Sequence, residues 1–166
     1  MIQRLSAFLF AALLFGCANA GDRPELVKIP PEPPKSKVGL LMFSAEWCVV
    51  CNKELPELDE RVKSELAEYG DRLTVTVYVV QDIEHDPPTP SAVDEYKTHL
   101  RNKHPSFSLT MVPDPWKGKT YFTYFKKSPK FDLPRAVILV DEKAPQPYPK
   151  ADLDTIMSEL KSALGR

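Results

Sequence analysis

Three near-continuous apolar runs of strand length constrain the fold of this chain more than any other feature. They are VGLLMF at 38–43, LTVTVYVV at 73–80 and AVILV at 136–140. Runs without polar alternation are expected for central strands that are covered on both faces. Helical patterns lie between and after these runs, so the sequence predicts an α/β domain with helices on a central sheet.

Apolar residues that recur every three or four positions predict the helices. The first helix is predicted over about 48–68, and Gly70 follows it as a stop signal. The second is predicted to open at Ser91, whose S-x-x-D pattern is typical of a helix N-terminus. A terminal helix is predicted over 153–164, ending at Gly165.

The first twenty residues have the pattern of an export signal. Arg4 supplies a short positive region, and 5–15 form an apolar stretch too short to span a bilayer. Residues 18–20 are a candidate A-x-A cleavage site, whereas the four residues ending at Cys17 resemble a bacterial lipobox, in which Cys17 would be lipidated. Both interpretations stay open, and they predict a periplasmic protein that is either soluble or anchored to the membrane by a lipid.

A proline-rich segment separates this leader from the predicted domain. Residues 21–37 carry five prolines and no apolar periodicity, so they indicate an extended tether of roughly 50 Å. An ordinary disordered N-terminus explains the same composition equally well. The predicted domain covers 38–166.

The charge balance excludes one class of partner. The chain has 22 Lys and Arg against 23 Asp and Glu, with no run of one sign. Nucleic-acid binding needs a concentrated basic surface, so it is not expected here.

Two of the three cysteines, Cys48 and Cys51, stand where an apolar run changes into a helical pattern. Spacing of i, i+3 at a helix start brings two Cα atoms to roughly 5–6 Å, within the range of a disulfide. The N-terminal amides of the helix favour a thiolate at Cys48 and are expected to lower the pKa of that thiol. The pattern predicts disulfide exchange in which Cys48 attacks and Cys51 resolves.

Other uses of the pair are weaker or remain open. A structural zinc site needs further ligands, but His85, His99 and His104 are scattered. An inert disulfide of this spacing closes too small a loop to stabilise the chain much. A non-catalytic binding module stays open, including a copper-handling domain that uses Cys48, Cys51 and a histidine such as His85. For the redox interpretation, neither a metal nor an organic cofactor is expected.

The segment FSAEWCVVCNKELPEL at 43–58 resembles the active-site segment of thioredoxin-fold proteins. It is most similar to that of the exported TlpA/ResA-like thiol-disulfide oxidoreductases. The resemblance implies a thioredoxin-like fold, with a mixed sheet whose last antiparallel strands follow a cis-proline. It also implies that Trp47 lies beside the nucleophile, that Pro56 kinks the first helix and that Glu54 assists proton transfer. From the residues alone, Glu54 fits a solvated helix face equally well.

The same resemblance assigns the cis-proline to Pro134. Leu133 and Pro134 immediately precede the run at 136–140, whereas the second candidate, Pro113, has no strand after it. A cis-proline opposite the cysteines would leave the backbone of Leu133 free to pair with an extended substrate segment. The predicted substrate-binding residues are therefore Trp47, Leu133 and Pro134.

The chain departs from the family pattern in three places. Val49 and Val50 stand between the cysteines, so no imidazolium is available there to stabilise a thiolate. Met42 occupies the position at which cytosolic thioredoxins carry a buried aspartate. The distance from Cys51 to Pro134 is long for the family, which predicts an insertion over 87–130.

The predicted insertion contains a candidate short strand at 108–112 and a group of aromatic residues. These aromatic side chains are predicted to pack as a helix face rather than to form a groove for a partner: Trp116, Tyr121, Phe122, Tyr124 and Phe125.

The residues and the resemblance together predict an exported thiol-disulfide oxidoreductase. Its expected partners are protein dithiols and disulfides. A reducing enzyme in an exported compartment would also need a membrane electron donor.

Overall fold

The computed structural model describes residues 38–115, 118–126, 130–141, 143–150 and 152–165. The predicted leader at 1–20, with Cys17, and the tether at 21–37 lie outside the described residues, as does Trp116. The elements in chain order are β1 (Val38–Ala45), α1 (Val49–Glu65), a 3₁₀ helix (Ala67–Arg72), β2 (Leu73–Gln81), α2 (Pro90–Lys103), β3 (Thr110–Pro113), α3 (Lys119–Tyr124), β4 (Arg135–Val140), β5 (Gln146–Tyr148) and α4 (Leu153–Leu164).

The strands form one mixed sheet in the order β3-β2-β1-β4-β5. β1 is parallel to β2, and β2 is parallel to β3, whereas β4 runs antiparallel to both β1 and β5. All eight residues of β1 are buried, as expected for a central strand with both faces covered. The predicted mixed sheet flanked by helices is confirmed.

Alternate residues of β1 enter two separate hydrophobic clusters. Leu40 and Met42 belong to a large cluster that also takes side chains from α1, α2 and α4. Leu41 and Phe43 point to the opposite face, where a smaller cluster contains side chains from α3 and both cysteines. The redox pair therefore lies at the edge of a packed core.

Helix boundaries differ from the sequence predictions for local reasons. α1 ends at Glu65, before the predicted 68, and a 3₁₀ helix containing Gly70 at φ 43° continues the chain. The prediction that Ser91 opens α2 was wrong: Thr89 is the N-cap, and its hydroxyl accepts the N–H of Ala92 at 3.1 Å. Pro90 takes the first helical position, where its missing N–H carries no cost.

The range of the predicted insertion, 87–130, contains α2, β3 and α3. β3 lies two residues later than predicted at its start, at Thr110–Pro113, and forms an edge of the sheet. Tyr121 and Phe125 are buried, so for these described side chains the predicted packed helix face is confirmed. No helix within the described ranges is long and apolar enough to cross a membrane.

Candidate redox site

The two cysteines lie at the junction of β1 and α1. A turn follows β1, in which the N–H of Cys48 donates to the carbonyl of Ala45 at 3.0 Å. Cys48 is the N-cap of α1, and its Sγ accepts the N–H of Cys51 at 3.2 Å. The two sulfurs are bonded at 2.09 Å with the Cα atoms 5.2 Å apart, so the predicted pairing is confirmed.

The two cysteine residues differ slightly in solvent exposure. Cys48 is 5% exposed and Cys51 is fully buried. Val49 and Val50 occupy the turn between them and are exposed. Cys48 therefore keeps a small exposed area at the start of α1, while the predicted order of attack stays a prediction.

The peptide bond between Leu133 and Pro134 is cis, as predicted. Among the described residues this is the only cis peptide bond. Pro113, the second candidate, is the last residue of β3, and the bond that precedes it is not cis. Leu133 packs against the hydrophobic cluster that contains Cys48 and Cys51, and its role in substrate binding stays a prediction.

Two side chains that the sequence analysis did not assign to the site hold this loop in place. The hydroxyl of Tyr121 accepts the N–H of Asp132 at 3.0 Å, and Arg135 pairs with the Asp132 carboxylate at 2.7 Å. The guanidinium of Arg135 also lies 4.7 Å from the centroid of the Phe125 ring. The insertion thus anchors the residues that lead into Pro134.

Trp47 has an unexpected neighbour. Its ring lies 4.9 Å from that of His85, between centroids, with the planes at 32°. The indole Nε1 is buried and has no hydrogen-bond partner among the described residues. His85 follows β2 in the left-handed region at φ 69°, and no sequence pattern indicated this contact.

Glu54 lies one helical turn after Cys51, and its side chain is partly buried. Its Oε2 atom is buried without a hydrogen-bond partner in the described segments. Burial raises the pKa of this carboxyl, and the charges of Glu57 and Asp152 raise it further, against a lowering by Lys53. A carboxyl that holds its proton more tightly than usual suits proton transfer, although the predicted role stays a prediction.

The ligand set of the copper hypothesis is not assembled. Within the described ranges, no three His, Cys, Asp or Glu side chains are grouped so that they could hold a metal ion. His85 contacts Trp47 rather than completing a set with Cys48 and Cys51.

Comparisons with known proteins agree with this geometry. A thioredoxin-related protein from Neisseria meningitidis serogroup B superposes with a TM-score of 0.57 at 16% identity, covering 80% of this chain and 89% of that one. The exposed lipoprotein thioredoxin of Streptococcus pneumoniae gives 0.56 at 26% identity, covering 77% and 86%. The dsbF protein of Mycobacterium tuberculosis, in mixed oxidized and reduced forms, gives 0.53 at 17% identity, covering 78% and 81%.

No protein-family model and no curated protein sequence matches the chain. The structural matches nevertheless cover at least three quarters of both chains, with the mixed sheet and flanking helices in common. The chain has the thioredoxin fold.

Proposed function

We propose that this protein is an exported thiol-disulfide oxidoreductase that exchanges disulfides with other proteins. The observation that carries the proposal is the position of Cys48. It caps α1, its Sγ accepts an N–H of the first helical turn, and it is bonded to a partner, Cys51, that is buried behind it. A helix N-terminus stabilises a thiolate at this position when the pair is reduced.

The exchange takes two steps, each of which makes and breaks one S–S bond. In the reduced protein the Cys48 thiolate attacks a substrate disulfide, and one substrate sulfur leaves as a thiolate that takes a proton. The Cys51 thiolate then attacks Cys48 Sγ and releases the second substrate sulfur. Two electrons pass to the substrate and the Cys48–Cys51 disulfide forms. The same steps in reverse oxidise a substrate dithiol.

The residues around the pair have separate roles in this proposal. The backbone of Leu133 beside cis-Pro134 pairs with the extended substrate segment, and Trp47 covers one side of the mixed disulfide. Glu54 gives a proton to the departing thiolate or accepts one from Cys51, for which a raised pKa is suitable.

Export rests on the leader pattern at 1–20, and its support from the comparisons is the exposed lipoprotein thioredoxin of Streptococcus pneumoniae. Cleavage after Ala20 would release the domain on its proline-rich segment, whereas lipidation of Cys17 would anchor it to the membrane. Intact mass of the exported protein separates the two outcomes. An exported chain that retains an unmodified Cys17 would contradict both.

The redox proposal is tested by turnover and by trapping. The mature domain should catalyse reduction of insulin by dithiothreitol, and Cys48→Ser should abolish this turnover. Cys51→Ser should accumulate a mixed disulfide at Cys48, because the resolving thiol is gone. Full activity in Cys48→Ser would refute attack by Cys48, whereas little turnover by the wild-type domain would support the non-catalytic binding module instead. Equilibration in glutathione buffers, followed by alkylation, gives the reduction potential of the pair and hence the direction of electron flow.

A further inference from the structure

The loop after β2, residues 82–88, lies beside the turn that leads from β1 to Cys48, for a topological reason. β1 and β2 are parallel neighbours in which Ala45 pairs with Gln81, so the segments that follow the two strands leave the sheet side by side. The contact between Trp47 and His85, with ring centroids 4.9 Å apart, closes the gap between them. The loop thus contacts Trp47, the residue that precedes Cys48.

The loop is held by its own hydrogen bonds. Asp82 Oδ1 accepts the N–H groups of Glu84 and Asp86, at 3.0 and 2.9 Å. Gln81 Nε2 donates to the carbonyl of His85 at 2.6 Å, which supports the left-handed backbone at that residue. These bonds use backbone groups of Glu84 and Asp86 and leave their carboxylates exposed to solvent.

Apolar side chains are exposed at this end of the molecule. Across the described ranges, three large hydrophobic side chains are exposed, and all three follow β1 or β2: Val49 at 81%, Val50 at 50% and Ile83 at 56%. A partner that covered Cys48 and Cys51 would remove apolar surface of these three side chains from water, which favours binding.

The same end carries unpaired negative charge. Glu46, Glu84 and Asp86 form no ion pair with any residue that the structure describes. The first turns of α1 contain one basic residue, Lys53, and the acidic residue Glu54 follows it directly. Complementary charge on a partner would strengthen association and speed it at low salt.

We propose that the loop at 82–88, with Val49 and Val50, selects partner segments in which the reacting cysteine is flanked by apolar residues and by Lys or Arg. This inference rests on the proposed function and adds the class of its protein substrates. Ile83 and the two valines bind the apolar flanks, and Glu84 and Asp86 bind the basic ones.

The test compares short peptides whose cysteine is joined to 2-thiopyridine by a disulfide. The peptides share Leu and Val beside the cysteine and differ in carrying Lys, Gln or Glu further out. The protein is first reduced with dithiothreitol, which is then removed. The Cys48 thiolate attacks the peptide sulfur, and the pyridine thiolate leaves and takes a proton to form the absorbing 2-thiopyridone. Cys51 then displaces the peptide thiol, so the released 2-thiopyridone reports the rate of attack.

At an ionic strength of about 0.02 M, the Lys peptide should react about tenfold faster than the Glu peptide, and about 0.5 M salt should remove most of the difference. Replacing the loop carboxylates, Glu84→Gln with Asp86→Asn, should reduce the ratio to about threefold or less. The control pair, Glu68→Gln with Asp71→Asn, lies in the 3₁₀ helix at the other end of β2 and should keep the wild-type ratio.

The apolar part of the inference has its own variant. Ile83→Ser should slow the Leu- and Val-flanked peptides about threefold while leaving Ser-flanked peptides unchanged. All these variants should react with neutral 2,2′-dithiodipyridine at the wild-type rate. Equal rates for Lys and Glu peptides, or an equal effect of the control pair, would overturn the inference while exchange at Cys48 still stands. Failure of every peptide to react would overturn the proposed function as well.

Discussion

The loop before cis-Pro134 is held by the Tyr121 hydroxyl and by Arg135, and removing the hydroxyl tests how α3 supports the site. Tyr121 is fully buried, and its ring contacts Phe43, Phe125 and Phe131 at centroid distances of 5.5, 5.0 and 5.0 Å. Tyr121→Phe keeps these ring contacts and removes the hydroxyl, which accepts the Asp132 N–H at 3.0 Å and donates to the Asp132 carbonyl at 3.4 Å. Asp132 is exposed, so water can partly replace the lost bond.

The expected loss in the free energy of unfolding is therefore about 1 kcal/mol for Tyr121→Phe. Tyr121→Ala also removes the ring from a packed cluster and should cost about 3–5 kcal/mol. Urea unfolding of the oxidised protein, with an unchanged m-value, measures both. Tyr124→Phe is the matched control, because that hydroxyl bonds to none of the described residues; it should cost well below about 1 kcal/mol.

A second readout connects stability to the site. A loosened loop should raise the KM for a protein disulfide in Tyr121→Phe, while the exchange rate with 2,2′-dithiodipyridine stays at the wild-type value. Our reasoning on this anchor would be refuted if Tyr121→Phe were as stable as wild type, or if Tyr124→Phe were equally damaging.

Three further changes test other parts of the structure. Burial raises the pKa of Glu54, so the stability contributed by the protonated carboxyl is present in acid and is lost as the pH rises through the raised pKa. Glu54→Gln should therefore be more stable than wild type at neutral pH, and the difference should vanish in acid. The same substitution should change the pH profile of thiol alkylation. Asp59 is buried and accepts hydrogen bonds from Lys63 and from the N–H and hydroxyl of Ser108, so Asp59→Ala should lower the free energy of unfolding in urea by about 2–4 kcal/mol. An unchanged free energy of unfolding would contradict this role. Gly118 has φ 72°, and an added Cβ would lie 2.5 Å from the Phe131 ring, so Gly118→Ala should lower the thermal midpoint and cost about 2–4 kcal/mol.

The parts of the fold that the sequence predicted are those in which local pattern and tertiary burial agree. The apolar runs became β1, β2 and β4, and the stripe that includes Leu55 and Leu58 became the buried face of α1. The family resemblance implied antiparallel strands after the cis-proline, but the residue pattern did not locate β5, because Gln146–Tyr148 is short, largely exposed and lacks an apolar run. Pairing with β4, rather than the propensity of its own residues, places this segment in the sheet.

The site was predicted in part for the same reason. Cys48, Cys51 and cis-Pro134 lie in motifs that are readable along the chain. The contact of His85 with Trp47 and the bond from Tyr121 to the loop join segments that are distant in sequence. Such contacts depend on how strands are ordered in the sheet, which apolar periodicity does not specify.

Both sulfurs share a buried cluster with the aromatic side chains of α3. If closing the S–S bond alters packing in this cluster, the oxidised and reduced proteins differ in their free energies of unfolding. By a thermodynamic cycle, that difference equals the shift of the reduction potential of the folded protein from that of the unfolded dithiol. Each 1.4 kcal/mol of unequal stabilisation amounts to about 30 mV for this two-electron couple. Chains with an identical Cys-Val-Val-Cys could then work at different potentials because their inserted helices differ.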